Sequence, residues 1–281
     1  MKLGVHSVLY ADQMQTDPEK VIYKLSQTGA SGFEISENYL INENKIKQEL
    51  EKYNMKISGI HCMNLHLMDL VNDVEKAKMA IQATAEKAVL FDCTNVIISG
   101  VIPIKEIMNI PINQGSSVLE LHDPTFVANM AKELNEIVLR IKQDYGIEVH
   151  YHNHSWEYAD NALIWNSLIE YAPELKFALD IGWATSLGYD SLQLIKSCPD
   201  RFSYIHLRDC KEYNIGDESF DYVRKSFVEL GHGKIATTSF IKELQKILPS
   251  NAWIVIEYEV GKFNTETYKK SIDYVKKGYC Q

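Results

Sequence analysis

Ile147-Glu148-Val149-His150-Tyr151-His152 carries side chains of two kinds in strict alternation. Ile147, Val149 and Tyr151 share one face, suited to packing against helices, whereas His150 and His152 share the other. Gly146 introduces this segment, and an amphipathic stretch near Pro124 to Tyr145 precedes it, so it reads as a strand that follows a helix. The same unit recurs on both sides. Upstream, strands are predicted at Lys2 to Ser7, Gly32 to Ile35, Lys56 to Ile60 and Asn95 to Ser99. Downstream they are predicted at Lys176 to Ile181, Ser203 to Leu207 and Trp253 to Tyr258. Helical segments separate them: from Asp17-Pro18-Glu19 to Gly29, then near Asn44 to Tyr53, Val74 to Phe91 and Ala162 to Tyr171, with a last one near Glu266 to Gly278. Strands alternating with helices imply a parallel sheet, and an eighth strand lets it close. The expected fold is α/β, a single (β/α)8 TIM-barrel domain over residues 1–281. The connection from Gly100 to Asp123 is several times longer than an ordinary loop and reads as a lid or binding loop.

Parity in the later strands selects four polar residues. Ala178 and Asp180 oppose Phe177, Leu179 and Ile181; Tyr204 and His206 oppose Ile205 and Leu207; Val255 and Glu257 oppose Ile254 and Ile256. With His152, these place an imidazole or carboxylate at the C-terminal end of each of four consecutive strands, facing inward. A buried unpaired charge costs several kcal/mol, so four such groups at one level need a shared partner, which a divalent cation supplies. Two imidazoles and two carboxylates suit Mn²⁺, with Co²⁺, Zn²⁺, Fe²⁺ or Mg²⁺ as alternatives, better than Ca²⁺. Such an ion would polarise a substrate carbonyl and stabilise an enediolate.

Composition is consistent with this reading. The chain has 281 residues, 46% of them hydrophobic, enough for one large core. A net charge of −9 is not the footprint of a protein that grips a phosphate backbone, so no nucleic-acid partner is expected. No apolar run approaches a membrane span, and the beginning Met-Lys-Leu-Gly-Val-His-Ser lacks a basic-then-apolar leader, so a soluble cytoplasmic protein is expected. Cys62, Cys93, Cys198, Cys210 and Cys280 are scattered and read as free thiols. A tyrosine-rich last helix, with Tyr268, Tyr274 and Tyr279, reads as a packing or homo-oligomer face.

The runs Tyr151-His152-Asn153-His154-Ser155-Trp156-Glu157, Leu179-Asp180-Ile181-Gly182-Trp183, Ile205-His206-Leu207-Arg208-Asp209 and Ile254-Val255-Ile256-Glu257 resemble the xylose isomerase-like barrels, the sugar phosphate isomerases and epimerases. Gly32-Phe33-Glu34-Ile35 and Ile57-Ser58-Gly59-Ile60-His61 extend the resemblance into the first half. It implies four metal ligands at the ends of strands five to eight, which fall on His152, Asp180, His206 and Glu257. Ketose epimerases of the family have Glu at the first position; His152 is similar instead to the His-x-His of inosose dehydratases. Trp183 stands where ketose enzymes place a substrate-contacting His. The resemblance further implies that Glu157 and Glu257 are the acid/base pair.

The remaining expectations concern the pocket. His6, Glu34 and His61, at the ends of the first three strands, are expected to bind substrate hydroxyls; Trp183 would wall a sugar face, and Arg208 would bind an anionic substrate group or pair with Asp209. His154 would orient His152 from behind. Gly231-His232-Gly233-Lys234 is weighed as a phosphate loop, although it lacks the usual spacing. The expected activity is proton abstraction beside the carbonyl of a ketose, sugar phosphate or related carbohydrate ketone, giving an isomerase or epimerase; the alternative is loss of water from a cyclitol or keto-sugar, as in inosose dehydratase. The partner is then a small carbohydrate or cyclitol. A zinc-cluster apurinic endonuclease and a non-catalytic sugar-binding barrel are the remaining readings.

Overall fold

The computed structural model describes residues 1–259 and 264–280. Its strands are β1 (Lys2–His6), β2 (Gly32–Ser36), β3 (Lys56–Cys62), β4 (Asn95–Ile98), β5 (Glu148–His152), β6 (Lys176–Asp180), β7 (Phe202–Leu207), β8 (Asp209–Cys210), β9 (Phe227–Val228) and β10 (Trp253–Ile256). All but β8 and β9 form a closed parallel barrel in the order β1-β10-β7-β6-β5-β4-β3-β2. Closure is made by β1 on β10, with Val5 beside Ile256. The short β8 and β9 pair antiparallel outside the barrel.

Helix starts follow their caps. The Asp17 carboxylate accepts the Lys20 N–H at 3.2 Å ahead of Pro18, and Asp123 accepts the Thr125 N–H at 2.7 Å ahead of Pro124. The helix Pro124–Tyr145 stops at Gly146, whose φ of 67° ends the right-handed turn and lets its N–H reach the Lys142 carbonyl. One expected start differs. The segment Ala159–Tyr171 opens with Asp160, Asn161 and Ala162 all left-handed, with φ of 51°, 60° and 62°. Residues with a Cβ adopt this conformation at about 1–2 kcal/mol each, and the regular helix begins only after them.

Two faces of the strands build two layers. Outward residues such as Val149, Phe177, Leu179, Ile205 and Ile256 join the core beneath the helices. Inside the barrel, Ile97, Ala178, Tyr204, Trp253 and Val255 form a separate plug. Polar groups inside the barrel are paired: His150 Nε2 lies 3.1 Å from Asn95 Oδ1, and the hydroxyl of the plug residue Tyr204 lies 2.9 Å from Ser58 Oγ. A Cβ at Gly59 would stand 2.9 Å from that tyrosine hydroxyl, so only glycine fits there.

The connection after β4 runs through three short turns, Ile104–Glu106, Ile112–Gln114 and Leu119–His122. It is pinned to the segment after β8: the Ile112 N–H donates to Glu218 O at 2.9 Å, and the Phe220 N–H donates to Ile110 O at 3.2 Å. Cys62, Cys93, Cys198 and Cys210 are unpaired thiols, and burial pushes Cys93 up to about 12; the Cys280 side chain lies outside the described residues. No described helix is long and apolar enough to cross a membrane.

Candidate metal centre and pocket

His152 ends β5, Asp180 ends β6, His206 lies in β7 beside Asp180 in register, and Glu257 follows β10. One ligand atom from each lies within 4.8 Å of the others. Nδ1 of His206 touches Nδ1 of His152, and Glu257 Oε2 stands 3.3 Å from the same His206 nitrogen. Glu257 Oε2 is buried and has no hydrogen-bond partner. Burial holds His152 well below its usual pKa, which keeps the imidazole neutral and its lone pair available.

Asp180 and Glu257 share a counter-ion. Asp180 Oδ1 caps the helix Ile181–Ser186 by accepting the Gly182 and Trp183 N–H groups at 2.8 and 3.1 Å. Its Oδ2 takes the Arg208 Nε–H at 2.6 Å. Arg208 also meets Glu257 Oε1 at 2.8 Å and the Glu259 carboxylate. One cation thus faces three carboxylates, an imbalance that a dication relieves. Two facing imidazole nitrogens, an orphaned carboxylate oxygen and excess negative charge fit a divalent ion with mixed N/O ligands.

A cavity of about 300 Å³ opens above this cluster, lined among others by His6, His61, Ser99, His152, His154, Arg224, Glu257 and Glu259. Asp180 and His206 are fully buried beneath it. Several expected residues sit elsewhere. Glu157 faces away from the cavity. Its carboxylate accepts the Tyr151 hydroxyl and the His154 N–H, each at 2.8 Å, and Tyr151 belongs to the outward face of β5. Burial raises it to about 7. The stability of the wild type over Glu157→Gln is expected to shrink by about 3 kcal/mol as the pH rises from about 4.5 to about 7. The sign follows from a folded pKa above the unfolded one, so the contribution is full below the unfolded value and lost above the folded one. Paired urea titrations across that range check it; a constant difference would refute it.

Trp183 lines no part of the cavity; it is buried and stacks on Phe220 with centroids 4.7 Å apart. Arg208 is spent on the three carboxylates rather than on substrate or Asp209. His154 meets the cavity wall and stacks on Trp156 at 4.4 Å; it lies edge-on to His152, so any support it gives that ring is by packing rather than by a hydrogen bond. His6 and His61 do line the cavity, but both nitrogens of each are engaged within the protein. Glu34 lies beneath them, fully buried. No residue of 100–123 lines the cavity; the long connection braces the segment after β8 instead.

The loop Gly231-His232-Gly233-Lys234 is filled by the protein itself. Asp209 accepts the N–H groups of Cys210, Gly231, Gly233, Ile235 and Ala236 at 2.9–3.3 Å. A Cβ at Gly233 would sit 2.2 Å from Asp209 Oδ1, so the loop closes on its carboxylate only with glycine there. Two charged lining residues, Glu259 and Arg224, are not picked out by the sequence pattern. Glu259 lies two positions beyond Glu257, and extending the strand parity would have found it. Arg224 lies on the helix Phe220–Ser226, where no strand pattern points to it.

A closed barrel with a mixed imidazole and carboxylate cluster at its C-terminal mouth defines a (β/α)8 protein with a group of side chains there that could hold a metal ion. The chain belongs to the xylose isomerase-like TIM barrel family, whose model matches residues 22–278. It is 24% identical over 297 residues to the inosose dehydratase of Mesomycoplasma hyopneumoniae (strain J), covering 98% of this chain and 95% of that protein. Among solved structures, it is similar to a sugar phosphate isomerase/epimerase from Parabacteroides distasonis, with a TM-score of 0.71, 16% identity and coverage of 97% and 93%. It is also similar to the IOLI protein with a bound zinc atom, with a TM-score of 0.70, 13% identity and coverage of 99% and 96%.

Proposed function

We propose that this protein is a metal-dependent enzyme that removes the proton beside the carbonyl of a carbohydrate ketone and returns it elsewhere, as a sugar isomerase. The observation that carries the reading is the convergence of His152, Asp180, His206 and Glu257, with Glu257 Oε2 buried and without a hydrogen-bond partner at the cavity floor. These residues would hold a divalent ion, Mn²⁺ in our reading, which when bound polarises the carbonyl and offsets charge developing on its oxygen. Glu257 is anchored through Oε1 by Arg208, leaving Oε2 to ligate or to take the proton. Glu259 reaches the same cavity from the same wall. The Ser99 hydroxyl and the neutral His154 imidazole supply hydrogen bonds to substrate hydroxyls, burial having lowered His154 to about 3.

Both cavity carboxylates come from the segment after β10. Proton removal and return on one face suits isomerisation better than epimerisation, which needs groups on both faces. A second reading, loss of water from a cyclitol or keto-sugar, is favoured by similarity to an inosose dehydratase across nearly the whole chain.

Incubation with Mn²⁺ and a panel of ketoses, ketose phosphates and inososes in deuterated water separates the two. Solvent deuterium in recovered or isomerised sugar supports the isomerase; an ultraviolet-absorbing unsaturated product supports the dehydratase. Neither exchange nor elimination across the panel would sink the proposal.

A further inference from the structure

Glu34, His6 and His61 form a second group of metal-ligating residue types beside the first, with ligand atoms also within 4.8 Å. Their hydrogen bonds argue for a different role. His6 Nδ1 accepts the Val8 N–H at 3.1 Å, so its proton sits on Nε2, which donates to Glu34 Oε1 at 3.2 Å. His61 places Nδ1 at 2.9 Å from the same oxygen and takes Ser99 Oγ at 2.7 Å on Nε2. On Oε2, Glu34 accepts the Tyr204 hydroxyl at 2.8 Å and meets His206 Nε2 at 2.5 Å. Those four partners use up the roughly four acceptor directions of one carboxylate and leave none for a cation.

Resting on the metal-centre reading above, we infer that Glu34 is a positioning residue that fixes His206 as the Nε2–H tautomer and so presents its Nδ1 lone pair to the ion. The consequence is visible across the ring. His206 Nδ1 is the nitrogen that faces His152 and Glu257, whereas Nε2 faces Glu34. A carboxylate behind an imidazole ligand sets its tautomer and raises its basicity, and loss of such a partner typically weakens metal affinity about 10–100-fold. His6 and His61 then serve as supports that hold Glu34 in place, and the protein binds one ion rather than two.

Calorimetric titration of metal-stripped protein with Mn²⁺ tests this on the wild type, Glu34→Gln and Tyr204→Phe. The wild type is expected to saturate at one equivalent. Glu34→Gln keeps that stoichiometry with affinity about 10–100-fold weaker, because an amide has one acceptor oxygen and its NH₂ would oppose the donors. Tyr204→Phe removes one donor from the same oxygen and leaves the carboxylate on His206, so its affinity stays close to that of the wild type. If the amide variant fails to fold, Glu34→Asp retains the charge but falls a methylene short of His206 and is expected to show the same weakening. Unchanged affinity in the Glu34 variants overturns the inference, as does equal weakening in Tyr204→Phe, which would mark a packing effect. A wild type binding two equivalents, one of them lost in Glu34→Gln, would make the group a metal site. A wild type that takes up no metal overturns the inference together with the proposed function, whereas a failure confined to the variants leaves that function standing.

Discussion

Arg208→Met is expected to lower the unfolding free energy of the metal-free protein by about 3–5 kcal/mol, the usual cost of removing one partner from a buried ionic network. The guanidinium is buried and pairs with Asp180 at 2.6 Å, with Glu257 at 2.8 Å and with Glu259. Methionine matches much of its length but supplies no charge, so three carboxylates are left facing one another at low dielectric. Mn²⁺ is expected to restore part of the lost stability, because an ion that binds only the folded chain stabilises it by mass action and here also neutralises the carboxylates. Guanidinium unfolding with and without the ion measures both effects. A loss below about 1 kcal/mol would mean that the carboxylates simply take up protons, and that Arg208 is not the charge that holds them.

Glu257→Gln should separate the centre from the fold. The substitution keeps shape and an acceptor for Arg208, so the metal-free variant is expected to unfold within about 1 kcal/mol of the wild type, as an isosteric change at one site allows. Its metal content after dialysis against Mn²⁺ should nevertheless fall sharply, since an amide is a poor ligand beside two imidazoles. Turnover of whichever ketone the wild type accepts should drop by about 10²–10⁴-fold, the span associated with losing a general acid or base. Metal analysis and kinetics read the two effects separately. Full metal content with unchanged turnover would remove Glu257 from both roles.

How far the sequence could be read depended on how far each residue lies from a regular strand. Period two assigns a face as long as the backbone stays extended, and it placed His152, Asp180, His206 and Glu257 together because each lies in or directly after a strand. Glu157 and Trp183 lie only a few residues further, but the chain has already turned. Glu157 falls in the tight turn Trp156–Tyr158, and Trp183 in the helix that Asp180 caps. A one-residue change in rise or twist there sends a side chain behind the barrel instead of into its mouth. Arg208 had the right parity and the wrong partner. Its length lets it reach carboxylates from β6 and from the segment after β10, contacts between residues far apart in sequence that no local pattern encodes. Likewise, three consecutive left-handed residues at 160–162 are not encoded locally: Asp and Asn tolerate that conformation singly, but Ala does not favour it and a run of three is unusual.

The loop that closes on Asp209 bears on which of its residues are free to change. Five backbone N–H groups converge on one side-chain carboxylate, an arrangement that elsewhere receives the oxygens of a phosphate ester. The protein carries its own anion there, tethered by a single Cβ. Asp209 is itself buried, so taking that one side chain away would strand several backbone donors inside the protein, and the loop and the carboxylate that closes it are bound to change together.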